Sequence, residues 1–296
     1  MFPQSANLRG IALMVLATGV FVINDTFMKL ATEGLPPFQV LFMRGVSATI
    51  WCVPLLFITG AVKQIRFFWD RWVVLRSVVE TSSVCLFILC LANMPIADIT
   101  ALGQLAPMMM LLGLAMFFRE PIKAGRLALI ALGFVGAVLV AQPSVSGISI
   151  FAVLGFAQAA LSGLRDVVLR KVPPATPSLI VAFSAIIIVM TGAGMAHLRF
   201  ERWVMPEGRH LLLLAGSGLF LMIGHLAISM AYRIGSPGVV APFYYMFAVW
   251  AVISGLLVFN TVPNPVAFMG IGLILVSGIT VALLDERKRR QLAVLA

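Results

Sequence analysis

Asn24-Asp25-Thr26-Phe27-Met28-Lys29 sets two opposite charges inside the apolar run Leu8–Ala31. A helix crossing a bilayer needs about 20 mostly apolar residues, and this run is long enough. A charge near the centre of such a helix costs on the order of 2.5–3.5 kcal/mol on insertion scales. Asp25 and Lys29 are four residues apart, so one helical face carries both and each can neutralise the other. The same spacing returns at Asp166 and Arg170, again near the end of an apolar run and shortly before a Pro-Pro pair, 36–37 in the first case and 173–174 in the second. Two copies of one unusual arrangement point to a duplicated membrane unit.

Composition agrees. Hydrophobic residues make up 61% of the 296 and charged residues 11%, against about 45–50% and 25% in soluble domains. The net charge of +10 does not call for a nucleic acid, because the cations cluster in short loops between apolar runs, as in membrane proteins that set their orientation by charge. Cys52, Cys85 and Cys90 lie in apolar runs with no metal-ligand spacing, so neither a disulfide framework nor a metal site is expected. The first run is too long and too charged for a signal peptide and reads as the first span.

Ten spans can be drawn, near 9–31, 38–59, 72–92, 97–118, 125–141, 149–169, 178–197, 211–232, 237–259 and 266–284, joined by short Pro-, Gly- and polar-rich hairpins. With the N-terminus in the cytoplasm, the inner face receives sixteen of the 21 Lys and Arg: Arg9, Lys63, Arg66, Arg71, Arg76, Arg119, Lys123, Arg126, Arg165, Arg170, Lys171, Arg233 and the four in Arg287–Arg290. Arg199, Arg202 and Arg209 share one outer loop with Glu201 and Glu207. Both termini are therefore expected in the cytoplasm. The fold class is an all-α membrane protein: ten transmembrane helices as two five-helix repeats, 8–142 and 147–284, followed by a basic tail, 285–296. Five spans per repeat is an odd number, so the second repeat enters the membrane upside down. Inverted repeats recur in secondary transporters, with the substrate at the repeat interface.

The stretches Gly10 to Arg44 (GIALMVLATGVFVINDTFMKL…LPPFQVLFMR), Met94-Pro-Ile-Ala-Asp-Ile-Thr-Ala101 with Pro107, and Phe118-Arg-Glu120 resemble the drug/metabolite transporter superfamily. Gly224-His-Leu226, Ala231-Tyr-Arg233 and Val240-Ala-Pro-Phe-Tyr-Tyr245 carry the likeness in the second half, giving two EamA-type halves. One departure is Asn260, where such halves often end their fourth span with a glutamate. The first-half signature looks like the branch that includes bacterial riboflavin importers. The resemblance implies a multi-pass carrier of the bacterial inner membrane.

Candidate substrate-binding residues are polar groups that must find water, a partner or a ligand within the membrane. Arg44 and Glu80 lie about two turns into spans two and three. Both are read as lacking an opposite charge in their own segment, with Arg76 counted among the cytoplasmic cations. Glu80 is the first choice for contacting substrate or a proton, with a buried ion pair as the alternative. Gln104 and His225 are either cavity residues or helix-to-helix hydrogen bonders. Tyr244, Tyr245 and Trp250, with Phe243 and Phe247, give span nine an aromatic stripe that suits a planar ring or plain packing. Asp25 and Lys29 form an intramembrane ion pair that either locks span one or lines the cavity entrance. Pro107 and Pro242 should kink their spans.

No phosphate-cradling loop, HExxH or GxSxG is present, so an ATP-driven pump and the familiar hydrolase classes are not supported. The expectation is a secondary transporter, not an enzyme, without cofactor, moving a small organic metabolite by alternating access. It works in the lipid bilayer as a monomer or homodimer. Riboflavin uptake leads; S-adenosylmethionine uptake and amino-acid or metallophore export are rivals. A lipid-modifying membrane enzyme is the reading from a different class.

Overall fold

A computed structural model describes residues 4–118, 124–141, 149–235 and 237–295. Arg119, Glu120, Pro121 and Lys123, the junction between the two expected repeats, and the side chains of Arg126 and the basic tail lie outside what is described. The regular elements among the described residues are all helices: α1 Gln4–Ala31, α2 Pro37–Ile58, α3 Arg71–Asn93, α4 Ile96–Gly103, α5 Ala106–Phe118, α6 Ala124–Ala141, α7 Ile150–Leu169, α8 Ser178–Phe200, α9 Gly208–Ile234, α10 Pro237–Val240, α11 Met246–Phe259 and α12 Pro265–Leu295. Two 3-10 segments complete the chain, Ala61–Trp69 between α2 and α3, and Ala241–Tyr245 between α10 and α11. Among the described residues, eight spans are long and apolar enough to cross a membrane; α4 and α5 count as one, and the second 3-10 segment continues into α11. The apolar stretches Leu127–Val140 of α6 and Pro265–Val281 of α12 are shorter. They stand where the fifth and tenth spans were expected. Many outward-facing side chains are apolar, Leu198, Leu212 and Ile58 among them, as a lipid-facing surface requires. The chain is a multi-pass membrane protein.

Local chemistry sets the helix ends. Pro36, Pro95 and Pro177 each stand immediately before a helix, where a missing N–H costs nothing. The Asp70 carboxylate accepts the backbone N–H of Trp72 and Val73 at the start of α3, and Asn264 accepts that of Ala267 at the start of α12. Asn260 ends α11 with φ 50°, a left-handed conformation that asparagine tolerates better than most side chains. Of the prolines inside spans, Pro54 stays within α2, and Pro107 and Pro242 act as expected. The chain breaks between α4 and α5 at Gln104-Leu105, just before Pro107, where a proline ring collides with the carbonyl of the preceding turn. Around Pro242 the helix tightens to 3-10 geometry before α11 resumes.

The helices pack mainly across the two halves of the chain, in matched pairs. α1 lies on α9 and α3 on α7; α2 lies on α9 and α3 on α8; α1 lies on α11 and α5 on α7. α2 with α8, α6 with α12 and α4 with α11 pair directly. Exchanging α1–α6 for α7–α12 reproduces this set of contacts. Hydrogen bonds follow the same scheme. Ser217 of α9 donates to Asn24 Oδ1 of α1 at 2.7 Å, and Ser83 of α3 meets Ser162 of α7 at 2.8 Å. Such bonds between spans contribute about 0.6 kcal/mol each on average. Gly136 and Gly270 let α6 and α12 touch backbone to backbone: a Cβ on either would stand within 2.6 Å of the other's carbonyl oxygen.

Candidate functional site

A cavity of about 650 Å³ opens between α2, α3, α8 and α9. Its mouth is formed by Thr59, Gly60, Pro177, Ser178 and Arg233, at the end of the bundle where α2 and α9 finish and α8 begins. Along α2 it runs from Thr59 to Arg44, roughly 20 Å at about 1.5 Å per residue. That carries it well past the middle of a bilayer about 30 Å thick. Val84, Val181, Ala185, Val189 and Leu221 give it apolar walls, and Arg44, Arg76, Glu80 and His225 supply the polar groups. An apolar chamber of this volume with a few convergent polar groups is the ordinary form of a small-molecule site.

The sequence reading that Glu80 has no partner in its own helix is corrected. Arg76, one turn earlier, reaches Glu80 Oε2 with Nη2 at 2.9 Å. Arg165 of α7 donates through Nη1 to Oε1 at 3.0 Å and to Oε2 at 3.2 Å. Arg165 also holds Asp166 through two parallel bonds of 2.8 and 3.2 Å. Of the two readings open for Glu80, the ion pair is the one the geometry forms. Arg44 is different. It is buried, feels the charges of Asp25 and Glu80 through space, and its Nε has no hydrogen-bond partner. His225 faces the cavity and packs edge-on against Phe21 at 5.2 Å.

Asp25 and Lys29 do not pair. Lys29 Nζ instead donates to the carbonyls of Leu91 and Met94 at 2.6 and 2.7 Å and stands over the Phe259 ring. Asp25 accepts from Asn24 at 2.8 Å. A carbonyl pair at the α3–α4 turn outcompetes the carboxylate one turn away. Gln104 is buried at the α4–α5 break and is absent from the cavity wall. Trp250 donates to the Val15 carbonyl at 3.1 Å and lies on Gly19 of α1. Tyr245 is wedged against Gly278 of α12. Tyr244 packs on Phe247, near Arg165 and Asp166. The span-nine stripe thus packs between helices, outside the cavity wall.

The opposite end of the bundle is shut. Glu201, at the C-terminus of α8, accepts the backbone N–H of Phe38 and Gln39 at 3.0 and 3.1 Å, and His197 lies 2.9 Å from the same carboxylate. Gln39 exchanges two further bonds with the Val204 backbone, at 2.6 and 3.0 Å.

A chamber sealed at one end and open at the other fits a carrier, and the comparisons agree. Residues 8–142 match the model of the EamA-like transporter family. The likeness to that family thus lies in the first half of the chain. Over 96% of its length it is 25% identical to 96% of a riboflavin transporter of Vibrio cholerae. It is 24% identical to a pseudopaline exporter of Pseudomonas aeruginosa over 92% of this chain and 95% of that one. A solved protein structure shares its fold with a TM-score of 0.61 and 17% identity, covering 96% of this chain and 99% of that chain. The drug/metabolite transporter resemblance and its riboflavin branch are supported by these relatives.

The sequence reading missed two members of the charged cluster. It counts Arg76 and Arg165 among the cations of the cytoplasmic face, inside the spans near 72–92 and 149–169. The signals for them were the four-residue step from Arg76 to Glu80 and the adjacency of Arg165 to Asp166.

Proposed function

We propose that this protein is a secondary carrier of a small organic metabolite, captured with its chamber open to the cytoplasm. The carrying observation is the one-ended cavity, with Arg44 at its depth and the Glu201–Gln39 clasp at the closed end. The matched packing of the two halves supports ten membrane crossings in two inverted repeats, 8–142 and 147–284, with α6 and α12 as the fifth and tenth. Such a repeat provides an outward-open state by exchange of the conformations of the two halves. The mouth lies at the end that the Lys and Arg distribution assigns to the cytoplasm of an inner membrane, with both termini on that side.

For the cargo, riboflavin is the first candidate. Its support is the named relative in Vibrio cholerae and a chamber of suitable size. Export of a metallophore is the second reading, favoured by the Pseudomonas relative. Proteoliposomes holding the purified protein, offered radiolabelled riboflavin with and without a pH gradient, test the first. Uptake equal to that of empty liposomes removes riboflavin, and retention of every metabolite in a wider panel removes the carrier reading.

A further inference from the structure

The polar wall of the cavity is unevenly supplied. Both oxygens of Glu80 are taken by Arg76 and Arg165. Asp25 is turned to Asn24, and Asp166 is held by Arg165. Three guanidinium nitrogens of these wall residues nevertheless lack an acceptor and are covered in this conformation: Nε of Arg44, and Nε and Nη1 of Arg76. None of the buried acceptor atoms without a donor, which belong to Asp98, Thr100, Gln104, Gln158 and Thr176, lies on this wall. An unsatisfied buried donor costs about 1–3 kcal/mol, more when it is charged. A turn of either side chain that brought these nitrogens to a ligand acceptor would recover that cost through charge-assisted, forked hydrogen bonds. Arg44 and Arg76 line the same chamber, together with Glu80 and His225. Arg233 at the mouth adds a further cation on the way in.

We infer that the cavity binds its cargo by an oxyanion, a carboxylate or a phosphate, held by Arg44 and Arg76. The inference rests on the carrier reading and not on riboflavin, which is uncharged; it ranks the uncharged flavin below an anionic counterpart. Glu80 and Arg165 position Arg76 and make no claim on the cargo.

The test uses the full-length protein in lipid nanodiscs and two matched pairs of probes, measured by equilibrium dialysis. Flavin mononucleotide is set against riboflavin for the phosphate, and nicotinate against nicotinamide for the carboxylate. In at least one pair the anion should bind about tenfold tighter or better, the scale of one charge-assisted bond. Arg44→Gln and Arg76→Gln should each erase most of that advantage, while Arg209→Gln, exposed and away from the cavity wall, leaves it within about twofold. Where Arg44→Gln does not fold, Arg44→Lys keeps the charge but loses the fork, and should lower the advantage partway. Equal binding within both pairs, or an advantage that survives both glutamine variants, overturns the inference. The carrier reading fails in a different way: anion binding is intact, yet proteoliposomes accumulate no bound probe.

Discussion

Glu201 accepts the backbone N–H of Gln39 at 3.1 Å, so the end of α8 caps the start of α2 from across the bundle. The pseudo-symmetric place at the other end joins the end of α2 to the start of α8. There Thr59 and Ser178 line an open mouth, and the Thr59 hydroxyl is spent on its own helix, donating to the Leu55 carbonyl at 2.6 Å. Related elements are therefore clasped by the Glu201 carboxylate at one end and parted at the other.

Removing that carboxylate should favour opening of the closed end. Glu201→Ala leaves two N-terminal N–H groups of α2 without their acceptor, at about 0.5–2 kcal/mol for a lost cap. Spin labels placed near the start of α2 and in the 202–206 loop should show a wider distance distribution than in the parent protein. An unchanged distribution would mean that packing alone closes this end.

Lys29 should act as a staple between α1 and the α3–α4 turn. Lys29→Met keeps the stem but loses both bonds to Leu91 and Met94, and two buried carbonyls lose their donor. A loss of about 1.5–3 kcal/mol is expected for bonds to a charged group, read as a lower Tm in detergent. Asp25→Asn should leave Lys29's bonds in place and change Tm less than Lys29→Met does.

The contrast between these two residues shows what the sequence could convey. A charge inside an apolar run has to be satisfied, and that rule picked out Arg44, Glu80 and His225, all of which line the cavity. The same rule cannot say by what. Asp25 was the visible partner for Lys29, but the carbonyls that hold it lie in another helix. Near a span end the difficulty reverses: Arg76 and Arg165 read equally well as solvated loop charges, because linear position does not reveal whether a side chain turns to water or to the chamber. Helical spacing likewise put Tyr244, Phe247 and Trp250 on one side of span nine without saying that α1 covers Trp250. The helical class and the effects of Pro107 and Pro242 were legible because bilayer length and proline geometry are local constraints.

The contact between Gly136 and Gly270 should tolerate no side chain. Gly136→Val places Cβ against the Gly270 carbonyl and the Ile274 side chain. Overpacking of this kind costs about 1–3 kcal/mol, and here it must push α6 and α12 apart. Lower yield of monodisperse protein and a lower Tm are the expected readouts. Gly272→Ala, with open space at its Cβ position, serves as the control and should behave as the parent.

Glu80 and Arg165 should be coupled more strongly than either is to its surroundings. Glu80→Gln leaves Arg76 and Arg165 facing each other without the carboxylate that both share. Breaking a buried pair costs about 3–5 kcal/mol, but the cavity lets water reach this cluster, so about 1–3 kcal/mol is the expected loss. Arg165→Gln alone should also destabilise, since it frees Asp166 as well as Glu80. The double variant should lose less than the sum of the two, because the second change removes a charge the first had already stranded. A double-mutant cycle in thermal unfolding measures this, and strict additivity would show that the pair seen between α3 and α7 contributes nothing to holding those helices together.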